Sequence, residues 1–368
     1  MAGLYIHIPF CEKKCAYCDF VSFGGRQIRL PSYLLALKNE ALLYRGESVD
    51  TVFIGGGTPS LMAPGQAGDL LDFLHKNFVF APAAEVTIEC NPASLTYEKL
   101  VEYKAAGIKR ISIGAQSLSD EVLSEIGRCH TLRQLEEAIN NAKRAGFDDF
   151  NLDLIFALPG QTAEAWEKTL LQALTYQPAH ISCYSLTVEP NTPLGKEVLS
   201  GKLRLPEEET ERTMYAAAQR ILAPQGIFQY EISNYAKKGR ECRHNLNYWL
   251  CGEYIGLGCA AHSYYGGARY RNTENLEDYI AQKDIVRERQ VLSEKDRMEE
   301  RIFLGLRMNR GMDIAAFERD FSISFFARYK RVIEKNRSRK LLEEDNRFLR
   351  LTEKGRDFAD AVALDFME

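Results

Sequence analysis

The chain has 368 residues, of which 45% are hydrophobic and 27% are charged, and its formal net charge is −4. This length is enough for one large domain and a smaller one, each with a buried core. The charge gives no global basic field, so we expect no nucleic acid partner. No apolar run approaches the roughly 18 residues of a membrane span, while peripheral contact with a membrane stays open.

The amino terminus lacks the charged segment and long apolar stretch of a secretory signal, which predicts a cytoplasmic protein. The nine cysteines are an odd number, which fits reduced thiols better than a disulfide framework. Most are scattered, and buried free cysteine is a common small core residue. Cys11, Cys15 and Cys18 instead crowd into one short segment and need another explanation.

Short apolar runs alternate with helical patterns through the first half of the chain. Thr131 and Gln134 form a capping-box pattern before one helix, with Gly146 at its carboxyl end, and Thr162 precedes another that Pro178 ends. This alternation predicts a parallel sheet covered by helices. Six strands are too few for an eight-fold barrel, so we expect an α/β fold with an incomplete (βα)6 TIM-like barrel. The strands are predicted at residues 4–8, 51–54, 85–89, 110–114, 151–156 and 181–186.

The alternation breaks near residue 205, which divides the chain into three predicted parts. They are a barrel over residues 1–205, a connecting segment over 206–290 and a carboxyl-terminal domain over 291–368. The connecting segment opens with a predicted helix at 206–223. The last part predicts a strand, a turn at residues 345 and 346, a second strand and a helix from Thr352, an order that suits a small winged-helix-like α+β domain. Acidic residues near the turn argue against DNA binding.

Three cysteine thiolates on one short loop match the ligands of a 4Fe-4S cluster that leaves one iron open. A small molecule with an amino and a carboxylate group, such as S-adenosylmethionine (SAM), can chelate an open iron. A structural zinc site is the alternative, but zinc usually takes four protein ligands in two pairs. No second pair follows in the sequence, and His7 would add only one ligand. The spacing therefore favours the cluster.

Glycines and polar residues follow the later predicted strands. Residues 55–59 read Gly-Gly-Gly-Thr-Pro after the second strand, Glu89 ends the third, Gln116 follows the fourth and Asp153 lies in the fifth. Active sites of parallel barrels lie at the carboxyl ends of the strands, where the cysteines also lie. Each residue alone has an ordinary explanation, as a turn or a helix cap. Together they predict one site at one rim of the barrel.

Seven motifs occur in an order and spacing that resemble the HemN/HemW group of radical SAM proteins, over nearly the whole chain. The coproporphyrinogen III oxidases of this group carry a fourth cysteine two positions after the third, where this chain has Phe20. The HNxxYW motif at residues 244–249 is typical of the HemW branch, whose members are regarded as heme chaperones. The motifs are LYIHIPFCEKKCAYCDF, GGGTPSL, IECNP, IGAQSL, IGRCH, NLDLIFALPGQT and HNLNYW.

The resemblance also implies roles for single residues. Cys11, Cys15 and Cys18 correspond to the cluster ligands. The other positions correspond to residues that contact SAM or lie beside it, and in the oxidase branch some of them contact a second SAM molecule. These positions are Tyr5, Tyr17, Gly56, Gly57, Thr58, Glu89, Gln116, Arg128 and Asp153.

His244 is the leading candidate for a heme ligand, since heme iron is commonly held by His, Cys, Met or Tyr. It heads the HNxxYW motif, whose Tyr248 and Trp249 offer rings for stacking on a flat macrocycle. The alternative is that His244 and Asn245 only bond the connection between the barrel and the tail. Further candidates nearby in the sequence are Cys242, Cys251, Cys259 and His262.

Three functions fit the resemblance. They are a heme chaperone with a 4Fe-4S cluster and exchangeable SAM, an oxygen-independent coproporphyrinogen III oxidase, and a radical SAM heme-modifying methyltransferase. Phe20 and the HNxxYW motif favour the chaperone, and whether the chain is an enzyme stays open at this point. The implied partners are heme or another porphyrin, heme-acceptor proteins, an electron donor such as flavodoxin or ferredoxin, and a second copy in a homodimer.

Overall fold

The structure is a computed structural model that describes residues 1–345 and 347–367. Its strands β1 to β17 are, in chain order, Ala2–Ile8, Phe10–Cys11, Phe23–Gly24, Ser48–Gly56, Val79–Cys90, Arg110–Gln116, Phe150–Phe156, His180–Ser185, Ile227–Glu231, Asn234–Lys237, Tyr254–Leu257, His262–Tyr265, Ala268–Asn272, Val286–Val291, Met312–Asp313, Leu342–Glu344 and Phe348–Leu351. Its helices α1 to α15 are Leu30–Ala41, Gln66–Asn77, Tyr97–Ala105, Asp120–Glu125, Leu132–Arg144, Ala163–Thr175, Pro193–Leu199, Glu208–Leu222, Arg243–Trp249, Leu276–Ile280, Glu294–Leu306, Ile314–Phe321, Phe325–Ser338, Glu353–Arg356 and Ala359–Leu364.

A twelve-stranded sheet forms the main body of the molecule, in the order β14-β13-β12-β11-β1-β4-β5-β6-β7-β8-β10-β9. The run from β11 to β8 is parallel, and the strands outside it pair antiparallel. The six predicted strands are β1, β4, β5, β6, β7 and β8, which all lie in the parallel run. Within the described residues no pairing joins the edge strands β14 and β9. The predicted α/β class and the incomplete barrel are therefore confirmed.

The helices that cover the sheet begin where their capping residues predict. The Thr131 side chain accepts a hydrogen bond from the Gln134 amide at the start of α5, and the full capping box is present. Thr162 caps α6 in the same way. Gly146 follows α5 with a φ of 80°, a left-handed conformation that favours glycine. Among the described residues, the helices are too short or too polar to span a membrane.

The faces of β1 show how the sheet is divided between core and site. Leu4, Ile6 and Ile8 are 0% exposed and belong to the main hydrophobic core, together with residues of α1. Tyr5 and His7 point to the opposite face because side chains alternate along a strand. That opposite face lines cavities inside the open barrel.

Residues 226–291 extend both edges of the sheet with strands that the sequence patterns left unassigned. β9 and β10 extend the edge next to β8, and β12, β13 and β14 extend the edge next to β11. The sequence of β14 is VRERQV, and all six residues are exposed. Such a strand has no apolar alternation, because neither of its faces packs against a core.

The carboxyl-terminal residues have a second core of their own. Helices α11, α12 and α13 pack with a three-stranded sheet of order β15-β17-β16, as expected for a winged-helix-like unit. Thr352 caps α14 as predicted, and a second short helix, α15, follows it. The predicted turn includes Asn346, which lies outside the described residues. The buried residues at the centre of this core are Ile302, Phe317, Phe325, Leu349 and Phe366.

Candidate functional site

A cavity of about 560 Å³ opens at the carboxyl ends of the parallel strands. We call it the cluster cavity because all three cysteines of the CxxxCxxC motif line it. Eleven of the thirteen predicted site residues lie here, so residues up to 142 positions apart in the sequence meet in one place. The eleven are Cys11, Cys15, Tyr17, Cys18, Gly56, Gly57, Thr58, Glu89, Gln116, Arg128 and Asp153.

The loop that carries the cysteines is fixed at its centre by backbone hydrogen bonds. The amide of Ala16 donates to the carbonyl of Ile126 at 3.0 Å, and the carbonyl of Ala16 accepts from the amide of Leu194 at 2.9 Å. Ala16 and Tyr17 also pack on a small apolar cluster that includes Ile126 and Leu194. The loop is therefore positioned by the two chain segments that follow β6 and β8.

Two polar side chains contact the cysteine sulfurs. Thr58 Oγ1 lies 3.7 Å from Cys11 Sγ, and Arg128 Nη1 lies 3.5 Å from Cys15 Sγ. Burial raises the pKa of the Cys11 and Cys18 thiols, and the Thr58 hydrogen bond partly offsets this for Cys11. Iron binding would thus release protons from these thiols, since thiolates are the ligands.

The donor set matches a cluster in its chemistry. Within the described residues, no three His, Cys, Asp or Glu side chains converge closely enough to hold a single metal ion. The three thiols instead line one larger space. In a cubane cluster each cysteine binds a different iron atom, so the thiols need not meet at one point. Three cysteines on one anchored loop therefore fit a 4Fe-4S cluster.

The glycine turn after β4 passes so close to the cysteine loop that side chains do not fit. A Cβ at Gly57 would lie 2.7 Å from the Phe10 carbonyl oxygen and 3.0 Å from Cys11 Sγ. A Cβ at Gly56, whose φ is 115°, would lie 2.6 Å from the His7 ring. These glycines let the backbone line the cluster cavity directly, as the sequence pattern predicted.

Two carboxyl groups face the cluster cavity from β5 and β7, the strands on either side of β6. Glu89 accepts a hydrogen bond from the Gly56 amide at 3.0 Å, and burial, with a smaller contribution from Asp153, raises its pKa to about 8. Asp153 accepts hydrogen bonds from Ser112 and Asn151, and burial raises its pKa as well. A cationic ligand would relieve the cost of ionising both groups, and the amino and sulfonium groups of SAM are cationic.

Arg128 and Gln116 supply donors on another side of the cavity. Arg128 Nη2 donates to the Gly114 carbonyl at 2.7 Å, while its buried Nε has no partner among the described residues. Gln116 ends β6 with a φ of 62°, and its amide nitrogen lies beside Gly114. An arginine with a free buried donor fits a carboxylate ligand. The cavity thus has acidic groups for the cationic parts of SAM and a cation for its carboxylate.

Tyr5 and His244 do not line the cluster cavity but a space of about 160 Å³ toward the amino ends of β4 and β5, and Glu89 and Asp153 border both spaces. The Tyr5 hydroxyl bonds to His7 Nδ1 at 2.8 Å. His244 is 1% exposed, its Nδ1 lies 2.8 Å from Thr51 Oγ1, and its Nε2 lies 2.8 Å from the Tyr248 hydroxyl. Both ring nitrogens are therefore engaged within the protein.

The HNLNYW segment forms α9, which closes that end of the barrel. Glu85 in β5 accepts hydrogen bonds from the amides of Arg243 and His244, both at 3.1 Å, and satisfies the first turn of the helix. Cys242 donates to the same carboxylate, and Cys259 is buried and donates to the Thr273 carbonyl. This geometry matches the alternative in which the motif bonds the connection between the barrel and the tail.

A second cavity of about 570 Å³ lies beside the cluster cavity, and we call it the flanking cavity. Several of its residues are candidates from their motifs, but nothing in the sequence predicts that they share one space. The sequence signal that could have indicated this cavity is the alternation His-Ser-Tyr at residues 262–264, because in a strand it places His262 and Tyr264 on the same face. The residues that line both cavities are Asp19 and Phe20. Other lining residues of the flanking cavity are Tyr248, Trp249, Cys251, Tyr254, His262, Tyr264 and Arg269.

Comparison with known proteins places these features in a family. Residues 5–173 match the Radical SAM superfamily, and residues 292–358 match the HemN C-terminal domain. The chain is similar in fold to the structure of coproporphyrinogen III oxidase (HemN) from Escherichia coli, with a TM-score of 0.86 and 24% identity. That match covers 99% of this chain and 89% of the other.

Curated relatives are similar in sequence over most or nearly all of the chain. The chain is 36% identical to "Heme chaperone HemW" of Bacillus subtilis over 98% of both chains. It is 42% identical to "Heme chaperone HemW" of Escherichia coli over 71% of this chain and 69% of that one. The chain therefore belongs to the HemW family of radical SAM proteins.

Proposed function

We propose that this protein is a heme chaperone, which binds heme and passes it to acceptor proteins, and that it carries a 4Fe-4S cluster with exchangeable SAM. The observation that carries this proposal is the similarity to the Bacillus subtilis "Heme chaperone HemW", which extends over 98% of both chains. Similarity of that extent includes the barrel, α9 and the carboxyl-terminal unit, so the whole architecture is shared.

Cys11, Cys15 and Cys18 would hold the cluster at the mouth of the cluster cavity. When bound there, a reduced cluster would supply the electron needed to cleave SAM. The protein's own groups bind and orient SAM. Arg128 faces the cavity with a positive charge, and Glu89 faces it with a carboxyl group that can ionise beside a cationic ligand. The glycine turn forms one wall of the cavity.

Phe20 bears on the oxidase alternative. It stands where the oxidase branch has a fourth cysteine, and its side chain is 71% exposed at the boundary of the two cavities. A phenyl ring has no donor for iron, so it cannot do what a thiol does there. The oxidase and methyltransferase activities thus remain as outcomes of the experiment below.

The same proposal covers the partners and the setting of the protein. We expect heme-acceptor proteins, an electron donor such as flavodoxin or ferredoxin, a homodimer and a cytoplasmic location. We also propose the division into residues 1–205, 206–290 and 291–368. The two separate hydrophobic cores support the last boundary, since the carboxyl-terminal core begins at Met298 in α11.

Anaerobic reconstitution followed by separate incubations tests the function. The cluster-loaded protein is mixed with SAM, a reductant and either heme or coproporphyrinogen III. We expect about one heme to bind per chain, seen as a saturable Soret band, and no decarboxylation of coproporphyrinogen III by mass spectrometry.

Controls without reductant and without SAM separate binding from turnover. Heme binding is expected in both, since it needs no electron transfer. Formation of protoporphyrinogen IX would overturn the proposal in favour of the oxidase, and a methylated heme product would favour the methyltransferase.

A further inference from the structure

The flanking cavity has the size and lining of a site for a large flat ligand. Its volume of about 570 Å³ lies within the range of small-molecule and cofactor sites, roughly 300–1,000 Å³. Besides Tyr5 on β1, aromatic rings come from three other parts of the chain. They are Phe20 after the cysteine loop, Tyr248 and Trp249 at the end of α9, and Tyr254 and Tyr264 on β11 and β12.

One wall of this cavity is a single face of the sheet edge. His262 and Tyr264 are two residues apart on β12 and so point to the same side. Tyr264 pairs with Tyr254 on β11 and with Arg269 on β13, which puts these three side chains on that side as well. Ser263 points to the other face, where its hydroxyl bonds to Gly256. The wall thus carries an imidazole, two phenol rings and the guanidinium group of Arg269.

His262 is available as a ligand, whereas the other histidine in the cavity is not. His7 also lines the cavity, but its Nδ1 bonds to Tyr5 and its Nε2 bonds to the Val21 carbonyl at 2.9 Å. The ring of His262 is exposed and makes no hydrogen bond with any residue that the structure describes. An imidazole without a partner, beside several aromatic rings, fits an iron-containing macrocycle.

Besides the tyrosines, Cys251 is a further group in this cavity of a type that commonly ligates heme iron. Burial raises the pKa of its thiol to about 11, so the thiol is protonated near neutral pH. His262 lies on the flat wall of the sheet, while Cys251 lies in the turn after α9 with a φ of 55°. A flat ring can therefore lie along the wall that carries His262.

We propose that the flanking cavity is the heme site of this protein and that His262 is the iron ligand. The inference rests on the proposed function, because it assigns a place to the cargo. Tyr264, Tyr254 and Trp249 then contact the faces of the macrocycle. His244 keeps a structural role at the closed end of the barrel. SAM and heme occupy separate cavities that meet at Asp19 and Phe20.

Spectroscopic titration of the cluster-loaded protein tests this site. Ferric heme is added to the wild type, to His262→Ala and to His75→Ala, which removes an exposed histidine on α2 that lies outside both cavities. We expect His262→Ala to shift the Soret band and weaken binding by about tenfold or more. Added imidazole should restore the wild-type spectrum, and His75→Ala should behave as wild type. Saturating SAM should not displace heme from the wild type, because the two ligands occupy separate cavities.

The outcomes separate the site from the function. An unchanged titration and spectrum in His262→Ala, while the wild type binds heme, would overturn the assignment and leave the chaperone function standing. A loss of binding in Cys251→Ala or His244→Ala but not in His262→Ala would also overturn it, as would competition between SAM and heme. A wild type that binds no heme would overturn the proposed function itself. Circular dichroism of each variant shows that it is folded.

Discussion

Gly57 lies where the chain leaving β4 passes under the cysteine loop. Its amide donates to the Ile8 carbonyl at 3.0 Å, so the turn is fixed to the end of β1. The space for a side chain at this position is already filled by the backbone of Phe10 and the thiol of Cys11. The residue therefore controls whether the first cysteine can stay in place.

Gly57→Ala is expected to lower cluster occupancy, because a methyl group would lie 2.7 Å from the Phe10 carbonyl oxygen and must push the loop away. Overpacking of this kind costs roughly 1–3 kcal/mol. Iron and sulfide per chain after anaerobic reconstitution measure the effect. The matched control is Gly68→Ala in α2, where the nearest atom to a Cβ is 3.9 Å away. Full iron content in Gly57→Ala would show that the loop tolerates the shift.

At the level of single residues, the sequence was informative where chemistry and spacing coincide. The three cysteines, Gly57 and Glu89 were identified from their types and from the strands that they follow. Tyr5 and His244 were predicted from their positions in family motifs, and a position in a motif does not say which space inside the barrel a side chain lines. His244 looks like a free ligand in the sequence, and only the structure shows Thr51 and Tyr248 on its two nitrogens.

The element that closes the barrel is α9, which has only seven residues. A helix so short is not stable alone, so it depends on contacts with the sheet. Glu85 in β5 provides the main polar contact, and Thr51 in β4 provides another through His244. The last turn of α9 supplies Tyr248 and Trp249 to the flanking cavity, so the position of this helix on the sheet also determines the shape of that cavity.

Glu85→Ala is expected to destabilise the protein by about 1–3 kcal/mol, because two amides of α9 lose their acceptor. Chemical denaturation followed by tryptophan fluorescence measures the change, and Trp249 reports on the end of α9 directly. Glu125→Ala, which removes an exposed carboxylate from α4, serves as the control. Equal denaturation midpoints for the two variants would mean that Glu85 does not hold α9.

Helices and strands with a regular apolar pattern or a capping residue were predicted close to their observed positions, and strands without such a pattern were missed. The parallel strands and the capped helices α5 and α6 repeat apolar residues at regular spacing. The strands that extend the sheet lack that signal because they are short, half exposed or, for β14, exposed throughout. Their pairing depends on tertiary contacts that bring residues 226–291 to both edges of one sheet, which local patterns do not encode.

Across the whole molecule, α11 joins the two edges of the open barrel. On one edge Glu300 forms a two-point ion pair with Arg269 in β13, with both distances 2.6 Å. On the other edge Arg307, which follows α11, pairs with Glu231 at 3.4 Å, and the Asn309 side chain donates to the Gln229 carbonyl at 2.9 Å. The carboxyl-terminal unit thus connects the two edges of a sheet that, within the described residues, do not pair with each other.

Glu300→Ala is expected to loosen the β11–β13 edge, because Arg269 loses a two-point partner that lies partly out of solvent. Amide hydrogen exchange in β12 and β13 should become faster by about tenfold, which corresponds to roughly 1.4 kcal/mol. Glu299→Ala on the same helix removes only a pair within α11 and serves as the control. Identical exchange in the two variants would show that the ion pair does not fasten this edge.

Asp19 and Phe20 belong to the walls of both cavities, and they directly follow the last cysteine of the motif. A movement of these two residues changes the shape of the cluster cavity and of the flanking cavity together. The free energy of filling one compartment therefore depends on the occupancy of the other, and thermodynamic linkage makes that dependence equal in both directions. Loss of iron from the cysteine loop would therefore change the position of the Phe20 ring in the flanking cavity.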